Sequence, residues 1–399
     1  MKILFVSDTY YPHINGVYYF VRRIGPLLQK KGHEVAVIAP SGSIFYSVRK
    51  VDGLDVYYMP SVPAITYPTI RFTIPLLLRT RLTHIIRKFK PDIIHIQDHL
   101  LICKVVVRIN SSLKIPIIGT NHFMPENVTF LVPGEKLKQY TESIIWKEFS
   151  KVFNQVGIVT TPTETGASLI RSKLKVKTVA ISSGVDLDSF DSGIDPADIK
   201  KKYMIPDKPV LLYVGRLDPE KHIEEVLHAV ALALKKTDFS FVAVGKGMSR
   251  NALEQLAVHL GISEKVIFTG FVPDEELPCF YKLGRCFVIA SIAELLSLAT
   301  LQAMASGLPI IAVKASALTE LVLEKINGYL YNEGDINALS KYIVDILTND
   351  EHYQSMSKKS LEIVRKHDIN ITLDFFEKLY QNQIYGKEIN QLSASIATN

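Results

Sequence analysis

Cysteine is scarce in this chain: three residues, Cys103, Cys279 and Cys286, among 399. Their spacing suits neither a disulfide framework nor a zinc site, which excludes a stapled secreted scaffold and points to a reducing cytoplasm. No apolar run reaches the ~18 residues that a membrane-spanning helix needs. Met1-Lys2 leads straight into ILFVS, too short and wrongly flanked for a secretion signal. No Gly-x-Gly-x-x-Gly follows the first apolar stretch, which argues against a dinucleotide-dependent dehydrogenase. No His/Cys cluster or paired carboxylate offers a metal site, so neither a metal nor a cofactor is expected. Internal repeats and low-complexity segments are missing as well.

What is present suits an ordinary globular protein. Hydrophobic residues make up 47% and charged residues 22%, which excludes wholesale disorder, and the length suits two α/β domains. Charge is uneven. Residues 1–190 carry 24 Lys and Arg against 13 Asp and Glu, whereas residues 191–399 carry 22 against 27. A basic half beside an acidic half either faces an anionic surface or substrate, or is simply solvated.

Apolar strands alternate with amphipathic helices in both halves. Lys2–Ser7 has the unbroken apolar character of a strand buried on both faces. After it, Asn15-Gly16 opens a helix through Val17, Phe20, Val21, Ile24 and Leu27, and Gly16 would let backbone approach a phosphate or sugar. Residues 70–90 set Arg71, Arg79, Arg81, Arg87, Lys88 and Lys90 among Leu and Ile. They form either a plain surface helix or a contact with anionic membrane headgroups. The stretch 123–148 is the densest aromatic and basic mixture. In the second half, Gly215-Arg216-Leu-Asp-Pro-Glu-Lys221 links a strand to a helix. A planar guanidinium fork and a point-charge ammonium on a glycine-led loop suit a diphosphate.

Phe287–Ala312 organises the rest. It reads as a buried strand, a polar break with a lone carboxylate, a helix Leu298–Ala305 opened by Ser297 and closed at Gly307, and a second buried strand. Ligands of such units sit at the carboxyl ends of the strands. Glu294 falls there, with no apolar role to explain it.

Glu294, seven residues, then Gln302-Ala-Met-Ala-x-Gly-x-Pro resembles the Glu-x7-Glu signature of retaining, nucleotide-sugar-dependent glycosyltransferases of family 4 ("group 1"). The second acid is Gln302 here, and Leu295-Leu296-Ser297 replaces the usual Gly-Phe-Gly. The resemblance spans residues 1–385 and implies a GT-B fold: two Rossmann-like doubly wound domains facing a cleft. Its boundaries here would be 1–183 for acceptor binding, 184–366 for the nucleotide sugar, 367–386 for a helix crossing back, and 387–399 for a disordered tail. It implies that Glu294 binds sugar hydroxyls and faces the developing oxocarbenium charge. His122 would touch an outer sugar hydroxyl, Arg216 and Lys221 the diphosphate, and Gln302 the ribose. Gly16, Gly215, Phe271, Val272, Ser297 and Leu298 would complete the donor site, with Phe271-Val272 at the base.

The implied reaction moves a hexose from a UDP-glucose-like donor or GDP-mannose to a lipid or glycan acceptor at the cytoplasmic membrane face. The protein would be cytoplasmic and peripheral, with no nucleic-acid partner. The departures at Gln302 and Leu295–Ser297 keep a non-catalytic, glycosyltransferase-like scaffold or binding protein as the alternative. An epimerase or phosphorylase of the same fold is a third reading.

Overall fold

The computed structural model describes residues 1–13, 15–64, 71–125, 129, 132–190 and 195–386; the tail read as disordered, 387–399, lies outside them. The chain divides into two compact units, Met1–Ser183 with Ile371–Asn399, and Gly184–Asn370.

The first unit is built on strands β1 (Lys2–Val6), β2 (Glu34–Pro40), β3 (Ser47–Val51), β4 (Leu54–Met59), β7 (Ile93–Ile96), β8 (Ile117–Thr120), β9 (Ile158–Thr161) and β10 (Thr178–Ala180). A small hairpin, β5 (Ser61–Pro63) and β6 (Arg71–Thr73), stands beside them. The large sheet runs β10-β9-β8-β7-β1-β2-β4-β3 and is parallel except at the β3 edge. From β1 the chain winds outward to β2 and β4, then returns to β7 on the other side. The switch point therefore lies between β1 and β7, where an open α/β sheet binds its ligands.

Local signals account for the helices. Asn15 caps the helix Gly16–Lys30 by accepting from the Tyr18 N–H at 3.0 Å. Val17, Phe20, Val21, Ile24 and Leu28 share its buried face. The last helix, Ile369–Tyr385, contributes Phe376 and Tyr380 to this unit. Phe376 meets Phe20 at 5.3 Å, and the Tyr380 hydroxyl meets His95 Nδ1 at 2.8 Å. Lys31 pairs with Asp374 and Glu377, at 2.5 and 2.9 Å. Each fully buried aromatic contributes about 1.5–3 kcal/mol, more than an exposed ion pair of this kind.

Residues 71–90 do not form one helix. Arg71–Thr73 is strand β6, and the helix starts only at Leu78. Pro75 and the left-handed Leu77 separate the two, so the basic residues occupy two elements. Leu78, Leu82, Ile85, Ile86 and Phe89 bury the inner face of the helix, leaving Arg79, Arg87 and Lys88 exposed.

The second unit carries β11 (Val210–Val214), β12 (Ser240–Val244), β13 (Val266–Gly270), β14 (Cys286–Ile289), β15 (Ile310–Val313) and β16 (Gly328–Tyr331). Their order is β13-β12-β11-β14-β15-β16, all parallel. This is the doubly wound dinucleotide-fold order 3-2-1-4-5-6, with its switch point between β11 and β14. All four residues of β14 and of β15 are buried, as central parallel strands require.

Candidate active site

The loops leaving β11 and β14 hold the chemistry of the second unit. After β11, Gly215-Arg216-Leu217-Asp218 runs into a single 3-10 turn, Pro219–Lys221, and then the helix Ile223–Ala233. After β14, Ser291–Leu296 leads to Ser297, whose hydroxyl accepts from the Thr300 N–H at 3.2 Å and caps Leu298–Ala305. The two loops meet. Lys221 Nζ lies 2.7 Å from Glu294 Oε1 and donates to the Ser291 hydroxyl at 3.3 Å. Both charged side chains are more than four-fifths buried.

Arg216 is anchored by carboxylates that the sequence reading did not single out. Its guanidinium pairs with Asp218 and Glu220, whose own side chains are almost fully buried. Asp218 also accepts from the Met248 N–H at 2.8 Å, which ties in the neighbouring loop. The Tyr213 hydroxyl donates to the Arg216 carbonyl at 2.7 Å. Burial pushes that phenol well above its ordinary range, and the charges of Glu294, Arg216, Glu220 and Asp218 all act on it.

Close backbone packing explains the glycines after β12. Gly245 has φ +144°, and a Cβ there would overlap the Gly215 carbonyl oxygen. A Cβ on Gly247 would overlap the Leu217 backbone. The Leu217 N–H donates to the Lys246 carbonyl at 2.9 Å, and Ser249 N–H donates back to Leu217 at 2.8 Å. The Arg216 loop is thus clamped from one side. Lys246 Nζ stands 5.6 Å from the ring centre of Phe271, which is 54% exposed. Val272, in contrast, is buried. Gln302 accepts from the Tyr281 hydroxyl at 3.0 Å through Oε1, which directs its amide NH2 away from that ring. Tyr281 is fully buried.

His122 and Gly16 belong to the first unit. His122 follows β8, half-buried, with its ring 5.1 Å from Phe20 and Nε2 2.8 Å from Gln97 Oε1. Burial, with the charge of Arg23, holds its imidazole down at about 3, so the ring is neutral throughout the physiological range. Beside Gly16, among the described residues and apart from its chain neighbours, no atom lies within 4 Å of where a Cβ would stand, so their packing does not demand glycine there.

The switch point of this unit holds Asp8 and Asp98. Asp98 accepts from the Ser7 hydroxyl at 2.8 Å and the Asp8 N–H at 2.9 Å, and Asp8 accepts from Ile102 N–H at 2.6 Å. Burial and the facing Asp8 charge push the Asp98 carboxyl up to about 7. The signal for Gln97 and Asp98 was available: a polar run at the carboxyl end of a buried strand, as at Glu294. The expectation that the sequence holds no Asp-x-Asp or carboxylate pair with metal-binding spacing needs correction, since Asp186-Leu187-Asp188 has that spacing. Asp186, however, accepts from the Ser189 N–H at 3.4 Å and from its hydroxyl at 2.6 Å, closing a local turn.

Comparison with known proteins bears on the family and the fold. The family model for "Glycosyl transferases group 1" matches residues 195–362, and that for "Glycosyltransferase Family 4" matches residues 14–189. The alpha-monoglucosyldiacylglycerol synthase of Streptococcus pneumoniae is 30% identical over 373 residues, covering 91% of this chain and 82% of that protein. A GDP-mannose-dependent alpha-mannosyltransferase of Mycolicibacterium smegmatis is 25% identical, covering 90% and 92%. Among solved structures, a sucrose-phosphate synthase from Thermosynechococcus elongatus superposes with a TM-score of 0.79 at 20% identity. That match covers 97% of this chain and all of that one, and establishes the GT-B fold. With two doubly wound units, strand-end charges in the second and matches across both halves, this chain belongs to the family 4, group 1 glycosyltransferases.

Proposed function

We propose that the chain transfers a hexose from a nucleotide-diphosphate sugar, UDP-glucose-like or GDP-mannose, to a lipid or glycan acceptor at the cytoplasmic face of a membrane. The transfer retains the anomeric configuration and needs no metal. The observation that carries this reading is the Lys221–Glu294 pair beside the anchored Arg216, on the two loops that flank the β11/β14 switch point. Arg216 and Lys221 neutralise the diphosphate as it leaves, with the N–H groups that open the Leu298–Ala305 helix. Glu294 binds sugar hydroxyls and faces the positive charge that develops at the anomeric carbon. The acceptor oxygen bonds to that carbon as the carbon–phosphate oxygen bond breaks. The acceptor proton passes to the leaving phosphate, and the new bond forms on the face the phosphate leaves.

Two relatives support the donor and acceptor classes. One is named for a glucosyl diacylglycerol and the other for GDP-mannose, and both names specify an alpha linkage. Sugars in these nucleotide donors are themselves alpha-linked, which is what retention requires. The deciding experiment incubates the protein with UDP-glucose, UDP-galactose or GDP-mannose and diacylglycerol or extracted membrane lipid, with and without EDTA. One glycolipid product of alpha configuration, formed equally with chelator, is expected. Nucleotide binding without turnover on any donor would leave the scaffold reading. Activity abolished by EDTA would overturn the metal-free mechanism.

Membrane contact rests on the first unit. No Asp or Glu occurs between Asp55 and Asp92. In that interval Phe72 is 60% exposed, Leu76 73% and Leu77 56%, close in sequence to the exposed Arg79, Arg87 and Lys88. The helix Glu135–Phe153 adds an exposed stripe of Leu137, Tyr140 and Ile144 beside Lys136, while Trp146 packs edge-on against Phe149. Phe130 lies outside the described residues. Among the described residues, no helix is long and apolar enough to cross a membrane. The protein should bind vesicles containing phosphatidylglycerol and release them as salt rises. Each Lys or Arg near the surface contributes about 1 kcal/mol, so Arg79→Ala with Arg87→Ala should weaken binding roughly 30-fold. Equal binding to neutral and anionic vesicles would point to a soluble acceptor.

Gln302 offers a milder check. Its Tyr281 partner would remain a donor to a carboxylate at the same position. Gln302→Glu should therefore tighten donor binding by about 1 kcal/mol, roughly fivefold, as a neutral hydrogen bond to ribose becomes charge-assisted. Weaker binding with a lower unfolding midpoint would remove the ribose role.

A further inference from the structure

Gln97 ends the buried strand β7 and is itself 1% exposed. It has no part in the roles assigned above, yet its side chain faces the one histidine assigned to the sugar. Gln97 Oε1 lies 2.8 Å from His122 Nε2, and Gln97 Nε2 lies 3.5 Å from the His95 carbonyl. The second contact decides the orientation of the amide. Rotating it by half a turn would face the amide oxygen with the His95 carbonyl oxygen, two acceptors without a proton between them. With oxygen toward the imidazole, the ring nitrogen opposite must carry the hydrogen.

We propose that Gln97 is a positioning residue that holds His122 with its hydrogen on Nε2, so that Nδ1 presents a lone pair to a hydroxyl of the transferred sugar. This rests on the sugar-contact reading of His122. It adds the direction of the contact: the sugar hydroxyl donates and the ring accepts. Such a site rejects an analogue in which that hydroxyl is methylated or replaced by fluorine, because an acceptor would then face an acceptor.

The surroundings keep the ring in this form. Burial first, and then the charge of Arg23 from the helix Gly16–Lys30, act against a proton on it. His95 is fixed in turn by the Tyr380 hydroxyl on Nδ1 and the Thr120 hydroxyl on Nε2, at 2.8 and 2.6 Å. The backbone that orients the Gln97 amide is therefore braced on two sides. A neutral histidine whose tautomer is set by the partner of its other nitrogen is a common arrangement for a ring that must accept or donate in one sense only.

The test uses the full-length protein labelled with 15N at histidine, at pH 8. Wild type should show His122 wholly as the Nε2–H tautomer. Gln97→Leu removes the acceptor and should give a mixture, with kcat/KM lower by about tenfold. Gln97→Glu keeps an acceptor in place and should retain the tautomer and most of the activity, which separates lost positioning from lost packing. Gln97→Leu combined with His122→Ala should be no slower than His122→Ala alone. A wild-type His122 carrying its hydrogen on Nδ1, or an unchanged tautomer in Gln97→Leu, would overturn the proposal. Full activity in His122→Ala would instead remove the sugar contact, and with it the purpose of the tautomer, while the spectra still report whether Gln97 holds the ring.

Discussion

Arg216→Ala is expected to lower kcat by about 10²–10³-fold, the scale of losing one preorganised group that stabilises transition-state charge. Two effects add. The guanidinium fork no longer meets the leaving diphosphate, and the Asp218 and Glu220 carboxylates that it neutralised remain, now repelling the donor. The same change costs stability. Glu220 is almost fully buried, and among the described residues its Oε2 has no hydrogen-bond partner, so the loss of Arg216 leaves an orphaned charge. Breaking a buried pair costs about 3–5 kcal/mol, and less here because Arg216 is half exposed.

A second variant separates the two. Arg216→Ala with Glu220→Gln removes the orphaned charge, so it should recover the unfolding midpoint. It should also recover part of the donor affinity, roughly tenfold, but not kcat. The measurements are the donor KM, kcat and thermal midpoint for wild type and both variants. A kcat within a few-fold of wild type in Arg216→Ala would show that the diphosphate lies elsewhere. If the double variant also regained full turnover, the loss would have been repulsion rather than a missing cation.

How much of this was legible in the sequence follows from the range of each signal. Caps and helix faces act over three or four residues. Asn15, Thr163 and Ser297 each accept from the backbone N–H three positions on, as their residue types announce. The alternation of buried strands and amphipathic helices likewise carried the doubly wound architecture in both halves. What decides the chemistry acts at long range. Lys221 meets Glu294 across 73 residues, His122 meets Gln97 across 25, and Gln302 meets Tyr281 across 21. No periodicity encodes such pairs; they follow from which strands the sheet places side by side.

The same limit explains one local misreading and one omission. Residues 70–90 read as one basic amphipathic segment, because charge and apolarity alternate through it. The break at Pro75 and Leu77 is set by where the β5–β6 hairpin ends. Arg216 and Lys221 read as a fork and a point charge suited to a diphosphate, and that reading did not include their carboxylate partners. Folding gives each a carboxylate, because cations held near a sheet's end without counter-charge would be desolvated at a cost. The sequence suggested phosphate ligands, but not the exchange that the proposed role then requires, diphosphate for Glu294 at Lys221.

That exchange gives Glu294→Gln an expected signature in two opposite directions. Turnover should fall by about 10²–10³-fold, because the amide keeps the shape and hydrogen bonds of the side chain but not the charge that faces the developing cation. Nucleotide diphosphate should bind no worse, and a few-fold tighter. In the free protein Lys221 spends its charge on Glu294 at 2.7 Å, and phosphate must compete for it. With glutamine there, the ammonium keeps Ser291 and is otherwise open to the diphosphate. The gain stays small because charges at this spacing are worth only about 6 kcal/mol at an effective dielectric of 20, and most of that compensates their shared desolvation. Calorimetric affinity for UDP and GDP, set beside single-turnover rates with the preferred donor, makes the comparison. A variant that loses nucleotide affinity in step with turnover would place Glu294 against the ribose or base. One that keeps its turnover would leave the oxocarbenium charge to be stabilised by another group.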